Sequence, residues 1–275
     1  MYSGSTIRNK SGRLMGVHQR IDRLARRELA PLLQKRQYFP ASHDILHFEG
    51  LNGPDGIKRK SPAKDEPWHY VDPTDPNDNA LRGMILDHIH NLSAALVDGN
   101  QHRASFEAAW LAHAITDGLT PAHHYPLEEK LEELRGGEGL ETRTTRRKKI
   151  LMPGKTRRHQ IKNNWEFWGA KGVMTTHFAF EMGIATTLAS GRLLLTEPSG
   201  NDLVRVRTEG FIPLFDEALQ RIASLKFYEE FYRMGWTRRL ARETKANLIP
   251  EIVRTVTLAW YIAAEKARVA RERSK

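Results

Sequence analysis

Apolar residues in this chain recur three and four positions apart in segment after segment, while the alternation that marks a strand is scarce. That rhythm constrains the fold more than any other feature. In residues 16–34, Val17, Ile21, Leu24, Leu29, Leu32 and Leu33 share a helical face among arginines. The same period predicts helices over 80–97, 103–116, 172–195, 202–226 and 249–273. Residues 39–78 are rich in Pro, Gly and Asp and predict an irregular loop with at most short helical turns, a length that compact domains reserve mainly for functional loops. The expected fold is all-α: a single multi-helix domain over 1–275 with long loops and a basic insertion at about 127–164. In that insertion an acidic helical turn gives way to RTTRRKKILMPGKTRRH, from Arg143 to His159, with eight Lys or Arg and no acid, which reads as an exposed excursion.

Cysteine is absent, so disulfides and thiolate-held zinc are excluded and any metal rests on His and carboxylate ligands. Lys and Arg outnumber Asp and Glu by 43 to 33, a formal charge of +10 that suits an anionic partner: nucleic acid, an anionic membrane surface or a phosphodiester. The first twenty residues hold no apolar stretch of the kind a secretory signal needs. The most apolar late window, TVTLAWYIAA from Thr255, falls well short of the ~20 residues that cross a bilayer and reads as a buried helix segment. A cytoplasmic protein is expected.

The chemistry concentrates in HAITDGLTPAHH. His113 and Asp117 stand four apart, hence on one helical face, and the turn after Pro121 swings His123 back towards them. A second helical segment, HFAFE, repeats the spacing with His177 and Glu181. Two such pairs supply much of a site for more than one ion. Either pair alone is as easily a solvated helix face.

Order and spacing together resemble the zinc-dependent phospholipase C and single-strand-specific nuclease superfamily, whose central motif is His-x-x-x-Asp-x-x-x-Pro-x-His, followed on a second helix by His-x-x-x-Glu or His-x-x-x-Asp. Upstream that family places an Asp about fourteen residues before a His, and here GPDGIK offers Asp55 and PWHYVDP offers His69. The resemblance runs from about His18 to Glu181. It implies that Asp55, His69, His113 and Asp117 hold one zinc, with Asp117 bridging to a second ion, and that His123, His177 and Glu181 hold another. It further implies a zinc-dependent phosphoric ester hydrolase; Asp55, a loop carboxylate beside the ions, is then the candidate to accept a proton from the attacking water besides acting as a ligand. Two substrate classes remain open: phospholipid, hydrolysed as by a phospholipase C, or single-stranded DNA or RNA, cut by a nuclease. A helical protein with structural zinc that binds nucleic acid or an anionic membrane is the reading from outside enzymology.

The chain departs from the family in two places. The family holds a third zinc through the amine and carbonyl of an N-terminal Trp and a nearby His, whereas this chain begins Met1-Tyr2. His18 is the candidate for that His, with His43 or His47 as alternatives, so two or three ions are expected. The interval between His123 and His177 is also far longer than the family's, and the basic insertion fills it.

The remaining candidates weigh less. His43 with Asp44 forms the dipeptide of HD-type phosphohydrolases, a reading that leaves both longer motifs unexplained. His88 and His90 read as ordinary histidines of a helix, His124 as a solvated neighbour and His159 as part of the basic surface. Trp165, Phe167 and Trp168 suit stacking on bases, a lipid interface or plain core packing.

Overall fold

The structure, a computed structural model, describes residues 1–3, 16–60, 69–139, 142–189, 193, 195 and 197–274, and all their regular structure is helical. In chain order, α1 (Val17–Leu29) runs into a 3₁₀ turn containing Pro31. The expected loop carries α2 (Ser42–Leu46) and α3 (Pro54–Lys60). Then come α4 (Ala80–Val97), α5 (Gln101–Gly118), α6 (Leu127–Leu134), α7 (Arg146–Ile150), α8 (Arg157–Trp168) and α9 (Val173–Ala189). The chain closes with α10 (Gly200–Thr208), α11 (Ile212–Ser224), α12 (Phe227–Met234), α13 (Arg238–Glu243) and α14 (Ile249–Arg273).

The late apolar window is the axis of the molecule. It lies in α14, where Val256, Leu258, Ala259 and Trp260 have no exposed surface, and α14 packs against α1, α4, α5, α10 and α11. A helix apolar on every side is stable only when enclosed in this way. The Trp260 indole donates to the Ala108 carbonyl at 3.0 Å, so even its one polar group is satisfied inside. No helix among the described residues is long and apolar enough to cross a membrane.

One expectation needs correction and another needs refinement. The helix anticipated over 202–226 is two helices, because Gly210 takes φ +87° and Pro213 in the first turn of α11 starts a new helix. The basic insertion is exposed along most of its charged run, as expected, but it is not an unstructured loop. Leu127, Leu131 and Leu134 of α6 pack with Met152 and with Phe167 of α8 into a second small core. Asn163 holds it shut, its amide donating to the carbonyls of Leu134 and Pro153 at 2.8 Å each. The charges of this segment hid a helical apolar spacing strong enough to fold it back on the body.

Candidate metal centre

The i, i+4 pairs meet as their spacing predicts. His113 and Asp117 lie on the last turn of α5, fully buried, with His113 Nε2 3.2 Å from Asp117 Oδ2. Glycine at 118 lets the end of α5 pack closely on Leu81 and Phe215, since a Cβ there would sit 2.4 Å from Leu81 Cδ2. Thr120 then caps the turn, its hydroxyl donating to the Thr116 carbonyl at 2.7 Å, and the 3₁₀ turn begun by Pro121 brings His123 back. The residues around His69 pair with that turn, the Val71 amide donating to the His123 carbonyl at 3.1 Å. His123 Nδ1 lies 3.2 Å from the His69 carbonyl, which leaves Nε2 to face the carboxylates. On α9, His177 Nε2 and Glu181 Oε1 stand 3.1 Å apart, and His123 Nε2 approaches the same oxygen at 3.3 Å.

Asp117 divides its neighbours between its two oxygens. Oδ2 faces His69 Nδ1 and His113 Nε2, both at 3.2 Å, and Asp55 on α3 completes that side with Oδ1 3.9 Å from His113 Nε2. Oδ1 faces His18 Nε2 at 3.2 Å and the amine of Met1. The Met1 carbonyl is 2.7 Å from His18 Nε2, so backbone amine and carbonyl of one residue both enter the cluster. The start of the chain is pinned there: the Val17 amide donates to the Tyr2 carbonyl at 2.8 Å, Gln19 to the Ser3 carbonyl at 2.6 Å, and Tyr2 meets Phe178 edge-on. Every residue singled out in the sequence as a ligand, His18, Asp55, His69, His113, Asp117, His123, His177 and Glu181, therefore lies in this one place. His43 and His47 do not: both are exposed on α2 and its end, and His43 contacts its own neighbour Asp44 at 2.9 Å. His124 is not a solvated neighbour; its ring bonds the Gly118 carbonyl at 2.9 Å, and burial lowers its pKa to about 4.

Electrostatics bind the cluster together. Burial opposes the charge on the Met1 amine, but Asp117 and Glu181 outweigh it and raise the amine to about 10. Burial likewise works against His113, yet Glu49 and Asp117 bring it up to about 10. His123 goes the other way, to about 4, because burial prevails over the pull of Asp117. Asp117 and Glu181 are held well below the usual carboxylate range in spite of burial, the former by His123 and the Met1 amine, the latter by that amine and His177. The ammonium of Met1 thus serves as the cation between two buried carboxylates.

Two sets of donors are close enough to hold an ion each, His18–His113–Asp117 and His123–His177–Glu181, with ligand atoms inside each set no more than 4.8 Å apart. Several separations of 3.1 to 3.3 Å are near the ~3.4 Å edge of a tetrahedron built on ~2.1 Å zinc bonds. His113 Nε2 is buried with no hydrogen-bond partner although Asp117 Oδ2 is 3.2 Å away, the orientation of two atoms aimed at a shared third. The all-nitrogen-and-oxygen donor set is one that zinc accepts.

Sequence reasoning missed several groups. The backbone of Met1 is one. Glu49 is another: wholly enclosed, it lies 3.2 Å from His113 Nδ1 and so turns Nε2 towards Asp117. Burial and the nearby charge of Glu49 raise the carboxyl of Asp22 well above its ordinary value. Tyr70, next to His69, stacks on the His123 ring with centroids 4.6 Å apart. The centre forms the floor of a cleft of about 580 Å³, whose walls bring Arg143 and Lys149 of the insertion together with Leu131, Phe167 and Met174. Comparison with protein-family models, curated proteins and solved structures gave no match to this chain.

Proposed function

We propose that this chain is a zinc-dependent phosphodiesterase resembling the phospholipase C and nuclease superfamily. The observation that carries this reading is the division of donors about Asp117. His69 and His113 lie at Oδ2, with Asp55 3.9 Å from His113, Met1 and His18 lie at Oδ1, and the two sets close enough to hold an ion are His18–His113–Asp117 and His123–His177–Glu181. A buried cluster with this many carboxylates and imidazoles suits two or three cations better than it suits itself. Bound there, zinc supplies Lewis acidity towards a phosphoryl oxygen and makes water acidic enough to ionise near neutral pH.

The chain's own residues supply the rest. Asp55 borders the cleft and retains some exposure, which supports its role as the group that takes a proton from the attacking water. Glu49 holds the tautomer and orientation of His113, and the His69 carbonyl does the same for His123. Arg143 and Lys149 face the cleft, where they neutralise phosphate oxygens. The cluster borders an open cleft instead of being sealed by protein, which favours catalytic over structural zinc.

The apolar wall of Leu127, Leu131, Phe167 and Met174 favours a phospholipid-like ester. Single-stranded nucleic acid is the second reading, supported by the two cations in the cleft and the charge of +10. Assays of zinc-replete and chelator-treated protein against phosphatidylcholine and single-stranded DNA test both. Zinc-dependent release of phosphorylated headgroup is expected. Cleavage of DNA alone transfers the proposal to the nuclease reading, and inactivity on both substrates overturns it.

A further inference from the structure

The outer side of the insertion carries a pattern that the metal centre does not use. Ile161, Trp165 and Trp168 stand at i, i+4 and i+7 on α8, one stripe of the helix, and all three are exposed, Ile161 by 64% and Trp165 by 70%. Helix α8 turns Phe167 inward to the small core and presents this stripe outward. The Trp168 indole donates to the Ile150 carbonyl at 2.7 Å, joining the end of α8 to the end of α7. Ile150, itself exposed, and Trp168 then reach the rim of the cleft, where Phe178 of α9 faces them. An exposed apolar strip thus runs from α8 to the mouth of the candidate centre.

Cations frame the strip. Arg157 and Arg158 lie one turn ahead of Ile161 on the same side of α8, exposed, and Arg147 and Lys148 are exposed on α7. The nearest acid on α8, Glu166, is offset by Lys162 at 3.6 Å. An exposed apolar strip bordered mainly by cations, with Glu166 and Glu229 beside Trp165, marks a binding surface, and the identity of its side chains selects the partner. Tryptophan is at home at a membrane interface, where its ring is buried and its indole N–H stays near polar groups. Isoleucine offers no face for a base to stack on, whereas acyl chains receive Ile150 and Ile161 together with the tryptophan rings, and the flanking arginines suit anionic headgroups.

We propose that α7 and α8 dock the protein on an anionic lipid surface, with Ile161, Trp165 and Trp168 entering the interface and Arg157 and Arg158 meeting the headgroups. Docking in this way turns the cleft mouth, rimmed by Ile150, Trp168 and Phe178, towards the lipid. The surface goes beyond the phosphoesterase reading and stands whether or not the centre turns over lipid.

The test is sedimentation of the full zinc-replete chain with vesicles of phosphatidylcholine, alone and mixed with phosphatidylserine, at low and physiological salt. Binding to the mixed vesicles, weakened by salt, is expected. Replacing both arginines, R157Q with R158Q, is expected to weaken it by roughly thirtyfold at low salt, about fivefold per arginine. I161S with W165S is expected to weaken it by about tenfold or more while the salt dependence persists. Thermal unfolding of each double variant should match the parent, since these side chains are exposed. Failure of the parent to sediment with anionic vesicles overturns the proposal, as does parent-like binding by both folded variants. Single-stranded oligonucleotide binding that these substitutions abolish, without vesicle binding, assigns the strip to nucleic acid. Self-association that they abolish, again without vesicle binding, assigns it to a second copy of the chain.

Discussion

A single carboxylate organises the candidate centre. Asp117 has one oxygen towards His69 and His113 and the other towards Met1 and His18, a bridging disposition within one side chain. Met1 tests this most sharply, because its amine and carbonyl do what no side chain in the sequence announces. A chain carrying Gly-Ser ahead of Met1 has an amide nitrogen in place of the amine, and an amide nitrogen is a poor ligand. We predict that this extended chain binds one zinc fewer than the parent and loses about tenfold or more in activity, the scale typical of disturbed metal ligation. Elemental analysis and the phosphodiester assay check it, and unchanged zinc content would exclude the Met1 amine. The candidate ligands in HAITDGLTPAHH and HFAFE are legible because helix geometry fixes what residues four apart can share. Met1 and Glu49 are not, because their contacts with Asp117 and His113 span 116 and 64 positions with no periodic relation.

Among the elements, α5 and α9 carry the candidate ligand pairs and the insertion lines the cleft. The sequence indicates the main helices because their apolar period is strong, and it indicates the all-α class for the same reason. It is silent where charge masks packing: the intervening run is solvated as it reads, but α6 and α8 on either side of it fold together on Leu127, Leu131, Leu134 and Phe167. It also overruns Gly210 and Pro213, where backbone conformation outweighs the continuing apolar pattern between α10 and α11. The consequence for function is that basic residues of the insertion face the cleft instead of trailing beside it. Lys149 borders the cleft with Asp55 and the ligands. We predict that Lys149→Gln raises KM for a phosphodiester by about tenfold, or ~1.4 kcal/mol, with zinc content unchanged. Steady-state kinetics with metal analysis decide it, and an unchanged KM would remove Lys149 from substrate binding.

For the molecule as a whole, the buried cluster couples folding to protons and to metal. His113, raised from 6.5 to about 10, contributes stability that is full below pH 6.5 and lost as the pH rises towards 10. The Met1 amine, raised from 8.0 to about 10, adds to that loss between pH 8 and 10. His123 acts on the other side: its pKa falls from 6.5 to about 4, so keeping it neutral costs stability as the pH drops through that interval. Asp117 and Glu181, both depressed, contribute above their ordinary values and lose their contribution only as acid reaches their folded values. Chelator-treated protein is therefore predicted to have its highest Tm near pH 6.5 and a falling Tm towards pH 9; a Tm still rising at pH 9 would contradict this assignment. On the proposed metal reading, an ion held by Met1 and His113 displaces their protons, so loading is predicted to release acid and to weaken at low pH. The most direct measurement is the zinc content of chain purified with zinc and freed of loose metal. Two or three ions per chain are predicted, falling in His113→Ala and Asp117→Asn variants that remain folded, whereas a content of zero in the parent would contradict the metal centre itself.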